Sequence, residues 1–509
     1  MNTSVLDNPD LLPIVARYIP LWVAPNFRTM LSGPVFSPKP LINCIKVCRL
    51  WQQIMTPILW EMYNYEAMLR CNIPPEVIEA QSHHFRFVHI AGPDPIPQLL
   101  KARRVRRLVL SKSENLETFL DLIINNGDSL TTLEWHLPDS GDTALKKEAI
   151  QYALEKLTKL ESLSLTHWSH CSVGQIARIA KNNPGLKKLS FTFSKNLAQT
   201  PGTHPPLNVT ELNLDGQWED NPGFVQLLQL CPKLESIKFW ATSTIPAAAV
   251  SKNLREYCPK LTSIRSLNSI MPTTIGGSPD EDDVVEIVRA ATGLVHFEFP
   301  MDDLTSDITK ALLDLHAETL ETMRLYLDGG DPLSLTNINV ILTECSNLAI
   351  LAVENEQDEW SPEDAENLLA DPWNCPKLKF LQVTGFNVIG EDYEELDDYA
   401  FDVEEDEYSS DEDKEAYYDT FPGMSKEARA ARKAMLKADK ATLEVSFQGF
   451  TADLEKRGWT LRSSHPTEEY KCLKPAIEHI MDRVFTMSEM EEVLLGHDLF
   501  FVRKNVKPF

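Results

Sequence analysis

Few side chains in this sequence are spaced for covalent or metal chemistry. Cys44 and Cys48 stand four residues apart, a spacing that puts two thiols on one face of a helix. No second pair of ligands lies at a distance suited to zinc, so both are expected to pack in a core. His83, His84 and His89 read as surface and edge-strand residues. There is no glycine-rich phosphate loop, no paired-histidine helix and no nucleophile elbow. Neither catalysis nor a cofactor nor a metal is expected. The side chains better suited to function are recognition types: Lys188, Lys238, Arg265 and Arg324, accompanied by Trp240 and Tyr326.

Those residues are positioned by a repeat. The pattern apolar, two residues, apolar, one residue, apolar occurs in thirteen copies, from Phe85/Val88/Ile90 and Val105/Leu108/Leu110, through Leu186/Leu189/Phe191, Leu234/Ile237/Phe239 and Leu320/Met323/Leu325, to Leu378/Leu381/Val383 and a late copy at Met490/Val493/Leu495; one of them, Leu261/Ile264, ends in Ser266 in place of an apolar residue. From Phe85 to Leu378 the spacing averages about 27 residues, within the 20 to 29 of leucine-rich repeats. The last two apolar positions are two apart, so on a strand they point to one side, into a core, while their neighbours face outward. Between copies lie helix-like stretches such as Leu116 to Ile124 and Phe224 to Leu230, and prolines such as Pro232, Pro259 and Pro376 stop the helix before the next strand. The expected fold is α/β: a repeat solenoid with a parallel sheet lining its concave face, preceded by a small all-α module.

The outward strand positions are where binding is expected. Lys238, Arg265 and Arg324 lie between the second and third apolar positions of their copies, and Trp240 and Tyr326 follow the third. Lys188 is nearby, opposed by Glu211 and Glu298. Such a set suits an acidic or phosphorylated segment of a target protein, held by charge-assisted hydrogen bonds. The competing reading is a solvated face of mixed charge.

The words Cys231-Pro232-Lys233-Leu234, Cys258-Pro259-Lys260-Leu261 and Cys375-Pro376-Lys377-Leu378 resemble the cysteine-containing leucine-rich repeats of F-box proteins. Ahead of the repeats, Asn8-Pro9-Asp10-Leu11-Leu12 opens a helix that is expected to place Leu11, Leu12, Val15 and Ile19 on one face. The run from Leu41 through Val47-Cys48-Arg49-Leu50-Trp51 to Leu59-Trp60 resembles the second half of an F-box. The resemblance implies docking on the Skp-type adaptor of a cullin-RING ubiquitin ligase through Pro9, Leu11, Leu12, Val15, Leu41, Val47, Trp51 and Trp60. Two departures from the pattern stand out: Leu-Pro-x-Glu is missing from the opening, and Pro20 to Pro40, with Trp22 and Phe27, separates the two halves. The same helices also read as a cap that closes the first repeat, and the chain then becomes an interaction scaffold or regulator without a ligase.

The 509 residues carry a formal net charge of −26, of which Glu391 to Asp419 supplies −15. This balance argues against general nucleic-acid affinity. That acidic stretch reads as a solvated loop, or as a strap folding over the basic outward positions, and Ser409 and Ser410 before Asp411-Glu412-Asp413 suit an acid-directed kinase. Lys426 to Lys440 reads as a basic helix, and the run Lys101, Arg103, Arg104, Arg106, Arg107 looks like an import signal but overlaps an expected strand. Nine scattered cysteines and no apolar span of membrane length point to a cytoplasmic or nuclear chain with no membrane partner. The expected divisions are 1–70 F-box-like, 71–385 repeats, 386–445 acidic insertion with basic helix, and 446–509 terminal repeat or cap.

Overall fold

The computed structural model describes residues 10–19, 22–23, 35–36, 38–90, 99, 101–111, 116–137, 144–166, 168, 171–192, 197–215, 222–240, 247–266, 278–355, 360, 364, 367–368, 370–386, 447–462, 477, 480–495 and 499–503. Pro9, Phe27, the acidic stretch with Ser409 and Ser410, and the basic segment 426–440 lie outside these residues. The chain divides into two compact units, Met1–Trp240 with Lys252–Leu261, and Ala241–Ser251 with Thr262–Phe509.

The first unit opens with three short helices, α1 (Leu12–Arg17), α2 (Lys39–Ile45) and α3 (Arg49–Leu59), and a two-residue antiparallel pair, β1 (Trp22–Val23) with β2 (Val35–Phe36). Leu12, Ala16, Leu41, Met55 and Leu59 form their core, flanked by Ile19, Ile42, Ile45, Trp51, Ile54 and Trp60. The chain breaks between α2 and α3, and Cys48 is the N-cap of α3. The thiols of Cys44 and Cys48 therefore do not share a helix face. Cys44 is half-buried and packs against this core, whereas Cys48 is exposed, which corrects the core expectation for Cys48 alone.

Next comes a parallel sheet of eight strands: β3 (Met62–Asn64), β4 (Phe87–Ile90), β5 (Arg107–Leu110), β6 (Thr132–His136), β7 (Ser162–Thr166), β8 (Lys188–Thr192), β9 (Glu211–Asp215) and β10 (Ser236–Phe239), each paired with the one before it. In register, Tyr63, Val88, Leu108, Leu133, Leu163, Leu189, Leu212 and Ile237 form one row, all buried. Two points differ from expectation. The sheet begins at β3, inside the segment read as the helical module, because Trp60/Tyr63/Tyr65 repeats the apolar spacing of the later copies. With β3 outside it, β4 is paired on both sides, so His89 is not on an edge strand.

In the second unit β11 (Ser263–Ser266), β12 (His296–Met301), β13 (Thr322–Leu327), β14 (Ile350–Asn355) and β15 (Phe380–Thr384) are likewise parallel. The strand numbered next in sequence, β16 (Trp459–Arg462), does not continue them. Instead β17 (Glu492–Leu495) pairs parallel with β15, β18 (Leu499–Arg503) turns back antiparallel to β17, and β16 adds antiparallel to β18. All thirteen copies fall at strands; β16 and β18 carry no triplet and were not legible.

Helices return the chain between parallel strands, among them α6 (Leu116–Asn125), α8 (Val173–Asn182) and α9 (Pro222–Gln229) in the first unit and α11 (Glu281–Val288), α12 (Ser306–His316) and α13 (Leu333–Glu344) in the second; α4 (Tyr65–Arg70), α5 (Pro75–Gln81), α7 (Ala144–Glu155) and α10 (Ala247–Tyr257) complete the labelled set. Each return buries backbone groups that need partners. One position at the end of the helix or just after it supplies them repeatedly. The Asn126 amide donates to the carbonyls of Leu122 (2.8 Å) and Ala102 (3.0 Å) and accepts from the Val105 N–H (2.9 Å). Asn183 does the same with Ile179, Leu157 and Leu160. His316 accepts at Nδ1 from the N–H groups of Gly293 and Leu294 and donates from Nε2 to the Val288 carbonyl at 3.0 Å. Cys231, Cys258, Cys345 and Cys375 fill the corresponding place in other copies, and burial pushes the last three thiols up to about 12, so they remain protonated at neutral pH.

Asn183→Ala strands three buried backbone groups and is expected to cost about 3 kcal/mol, read as a lowered urea midpoint. Burial holds the His316 imidazole below the ordinary histidine range. The unfolded chain therefore takes up the proton first, and the stability His316 contributes is present above about pH 6.5 and declines as the pH falls further. His316→Asn, which copies Asn126 and Asn183, should fold and lose that decline; an identical pH slope in wild type and variant would contradict the assignment.

Candidate functional site

Two surfaces carry the residues expected to bind. The first is α1, which is apolar on two sides. Leu12 and Ala16 turn into the module's core, with Ile19 packed behind them, whereas Leu11 (38% exposed), Ile14 (53%), Val15 (41%) and Tyr18 (84%) face away from it. Residues 11, 14, 15 and 18 follow the i, i+3, i+4, i+7 spacing of a single helical stripe. Leu11 and Val15 thus do not share the face of Leu12 and Ile19. The two stripes are offset by one residue, about 100° around the axis, and the core takes the Leu12 side.

Of the eight residues implied by the F-box resemblance, Leu11, Val15 and Val47 (62% exposed) are accessible. Leu12 and Leu41 are internal, and Trp51 and Trp60 pack half-buried against the core. Trp60 also lies 6.4 Å, centroid to centroid, from the Phe85 ring at the start of the sheet. Ile14 and Tyr18 were missed from sequence. Their signal was the spacing from Leu11, masked by the equally apolar neighbours on the other stripe.

The second surface is the sheet face opposite the buried rows, and the expected binding residues fall into two sets. In the first unit Lys188 is exposed and ion-paired to Glu211 on the next strand at 2.5 Å. Lys238 and Trp240 are half-buried at β10. In the second unit the register aligns Arg265, Glu298, Arg324, Ala352 and Gln382 across five strands. Strands are about 4.8 Å apart, so the two arginines stand roughly 10 Å from each other with Glu298 between them. Arg265 Nε donates to Ser263 Oγ at 3.2 Å. Among the described residues neither Arg265 nor Arg324 has a carboxylate within 4 Å.

Tyr326, read as an outward aromatic, is only 7% exposed, because it is flanked in register by Pro300 and Glu354, and its hydroxyl donates to Glu298 at 3.4 Å. Gln382 donates to Glu354 at 2.8 Å. Burial raises the Glu354 carboxyl above its ordinary range, a shift opposed by the Gln382 hydrogen bond and the Arg324 charge. This face presents guanidinium donors among carboxylates whose own partners are already set.

No group of three His, Cys, Asp or Glu among the described residues could hold a metal, and no described helix is long and apolar enough to cross a membrane. Neither a family model nor a curated protein sequence matches the chain.

The charge balance on the second-unit face can be read directly. The Glu354 carboxyl should titrate above the ordinary glutamate range in a carbon-detected NMR titration, and Arg324→Gln should move it further up, since a cation that favours the carboxylate is lost. A midpoint indifferent to Arg324 would place that guanidinium away from this site.

Proposed function

We propose that the chain is a non-catalytic substrate-recognition subunit of an SCF-type (Skp, cullin, F-box) ubiquitin ligase. Its N-terminal helices dock the Skp-type adaptor and its leucine-rich repeats hold a target protein. The observation that carries this reading is the second apolar stripe of α1: Leu11, Ile14, Val15 and Tyr18 stand in solvent on a helix whose neighbouring Leu12/Ala16 stripe already anchors the module. An amphipathic helix needs one apolar stripe to pack at home, and an exposed second one suits a partner protein. The resemblance of Leu41 to Trp60 to an F-box names that partner as the adaptor. Arg265 and Arg324, without carboxylate partners among the described residues, suit an acidic or phosphorylated target segment.

The scaffold reading has its own support. Trp60 runs straight into β3 and touches Phe85, as an end cap would. The two readings part at the outer stripe, which a cap does not use.

Ile14→Asp with Val15→Asp is expected to abolish co-elution with a recombinant Skp-type adaptor, a loss of at least a hundredfold in affinity, while thermal stability stays near wild type. Leu12→Asp puts a charge into the core and should unfold the module, so it does not discriminate. Wild-type chain that fails to bind the adaptor, or a double variant that binds as well as wild type, would leave the scaffold. In a complex with captured target, Arg265→Glu with Arg324→Glu should release the target and retain the adaptor; unchanged capture removes the arginines from the target site.

A further inference from the structure

The chain is acidic overall, yet one edge of its first unit is strongly basic. Arg86 precedes β4, and Arg103, Arg104 and Arg106 precede β5, the adjacent strand. The loop that carries the last three is fixed. Ala102 and Val105 are fully buried, the Asn126 side chain bonds the Ala102 carbonyl and the Val105 N–H, and the Arg106 N–H donates to the Arg86 carbonyl at 2.7 Å. An import signal is read as a pliable extended segment; here the inward anchors Ala102 and Val105 force Arg103, Arg104 and Arg106 outward on a rigid turn. All three are exposed.

The surroundings leave the charge of Arg104 and Arg106 uncompensated. Lys101 is ion-paired to Glu79 and Arg107 to Glu134, so the basic residues on either side are neutralised. Arg86 is held by the carbonyls of His83 (3.2 Å) and Phe85 (2.9 Å), which orient its guanidinium without cancelling it. Burial and the nearby Arg104 and Arg106 all work against its charged form, and Glu61 is the carboxylate that offsets them. Among the described residues Arg104 and Arg106 have no ion-pair partner. The rings of His83 and His84 lie 3.8 Å apart beside the cluster. Holding several guanidinium groups together costs electrostatic energy that an anion returns.

We propose that Arg86, Arg104 and Arg106, with Arg103 beside them, form a docking site for an acidic polypeptide segment, a run of Asp and Glu side chains. Guanidinium forks on two adjacent strand entries bind carboxylates in paired, bidentate fashion. The net charge of −26 opposes any anion, so the occupant has to be short enough to stay on the arginines: a brief run of carboxylates can, whereas a nucleic-acid strand carries phosphates on past the cluster toward Glu61, Glu79 and Glu134. The site is independent of the ligase reading, because it uses neither α1 nor the outward sheet face.

The test titrates full-length chain into a fluorescein-labelled twenty-residue poly-glutamate peptide and reads anisotropy. Wild type should show saturable binding in 50 mM salt that weakens at least tenfold in 300 mM. Arg104→Glu with Arg106→Glu should weaken it at least tenfold at low salt, and Arg104→Lys with Arg106→Lys should retain most of it. Both positions are exposed, so circular dichroism of the variants should match wild type. The proposal is overturned by absent binding, by equal binding to the Glu variant, or by tighter binding to a single-stranded oligonucleotide of equal charge.

Discussion

The structure depends on parallel strands laid side by side, with buried backbone of the return segments satisfied by side chains at Asn126, Asn183 and His316. A parallel pair needs a long crossover, and each crossover passes polar backbone beneath an apolar sheet. The Asn126, Asn183 and His316 side chains meet that demand from one position, each binding the N–H of the residue that leads the preceding copy: Val105, Leu160 and Leu294. With these groups paired, burying the aligned rows is worth about 1.5 to 3 kcal/mol for each large apolar side chain, and the opposite face is left free to carry polar residues.

Much of this was legible because strands and buried rows follow from spacing alone. Leu189 and Phe191, or Met323 and Leu325, point inward by the two-residue period whatever surrounds them. What spacing could not settle was direction where both choices are apolar. On α1, Leu11, Ile14, Val15 and Tyr18 compete with Leu12, Ala16 and Ile19, and only the packing of α2 and α3 decides which set is covered. The start of the sheet was hidden for a related reason, since Trp60 serves the helical module and the first strand together. The closing strands Trp459–Arg462 and Leu499–Arg503 join antiparallel, so they owe nothing to the repeat.

The distribution of charge was less legible than its amount. Lys188 was visible opposite Glu211, and the pair forms. The outward face of the second unit is a mixture in which Glu298 and Glu354 accompany Arg265 and Arg324, and Tyr326 is drawn in to bond Glu298. Among the described residues a denser basic surface lies instead at Arg86 and Arg103 to Arg106. There the linear run was plain in sequence, but the rigidity that makes it a surface comes from Asn126, about twenty residues away in the chain.

Function, in this account, follows from a helix with one apolar side too many. The most direct measurement is hydrogen exchange of the full-length chain by mass spectrometry, with and without a Skp-type adaptor. Docking through the outer stripe slows exchange over residues 11 to 18 and at the turn holding Val47, and leaves the strands of both units unchanged. Exchange over α1 that is indifferent to the adaptor, or protection confined to the sheets, would contradict it.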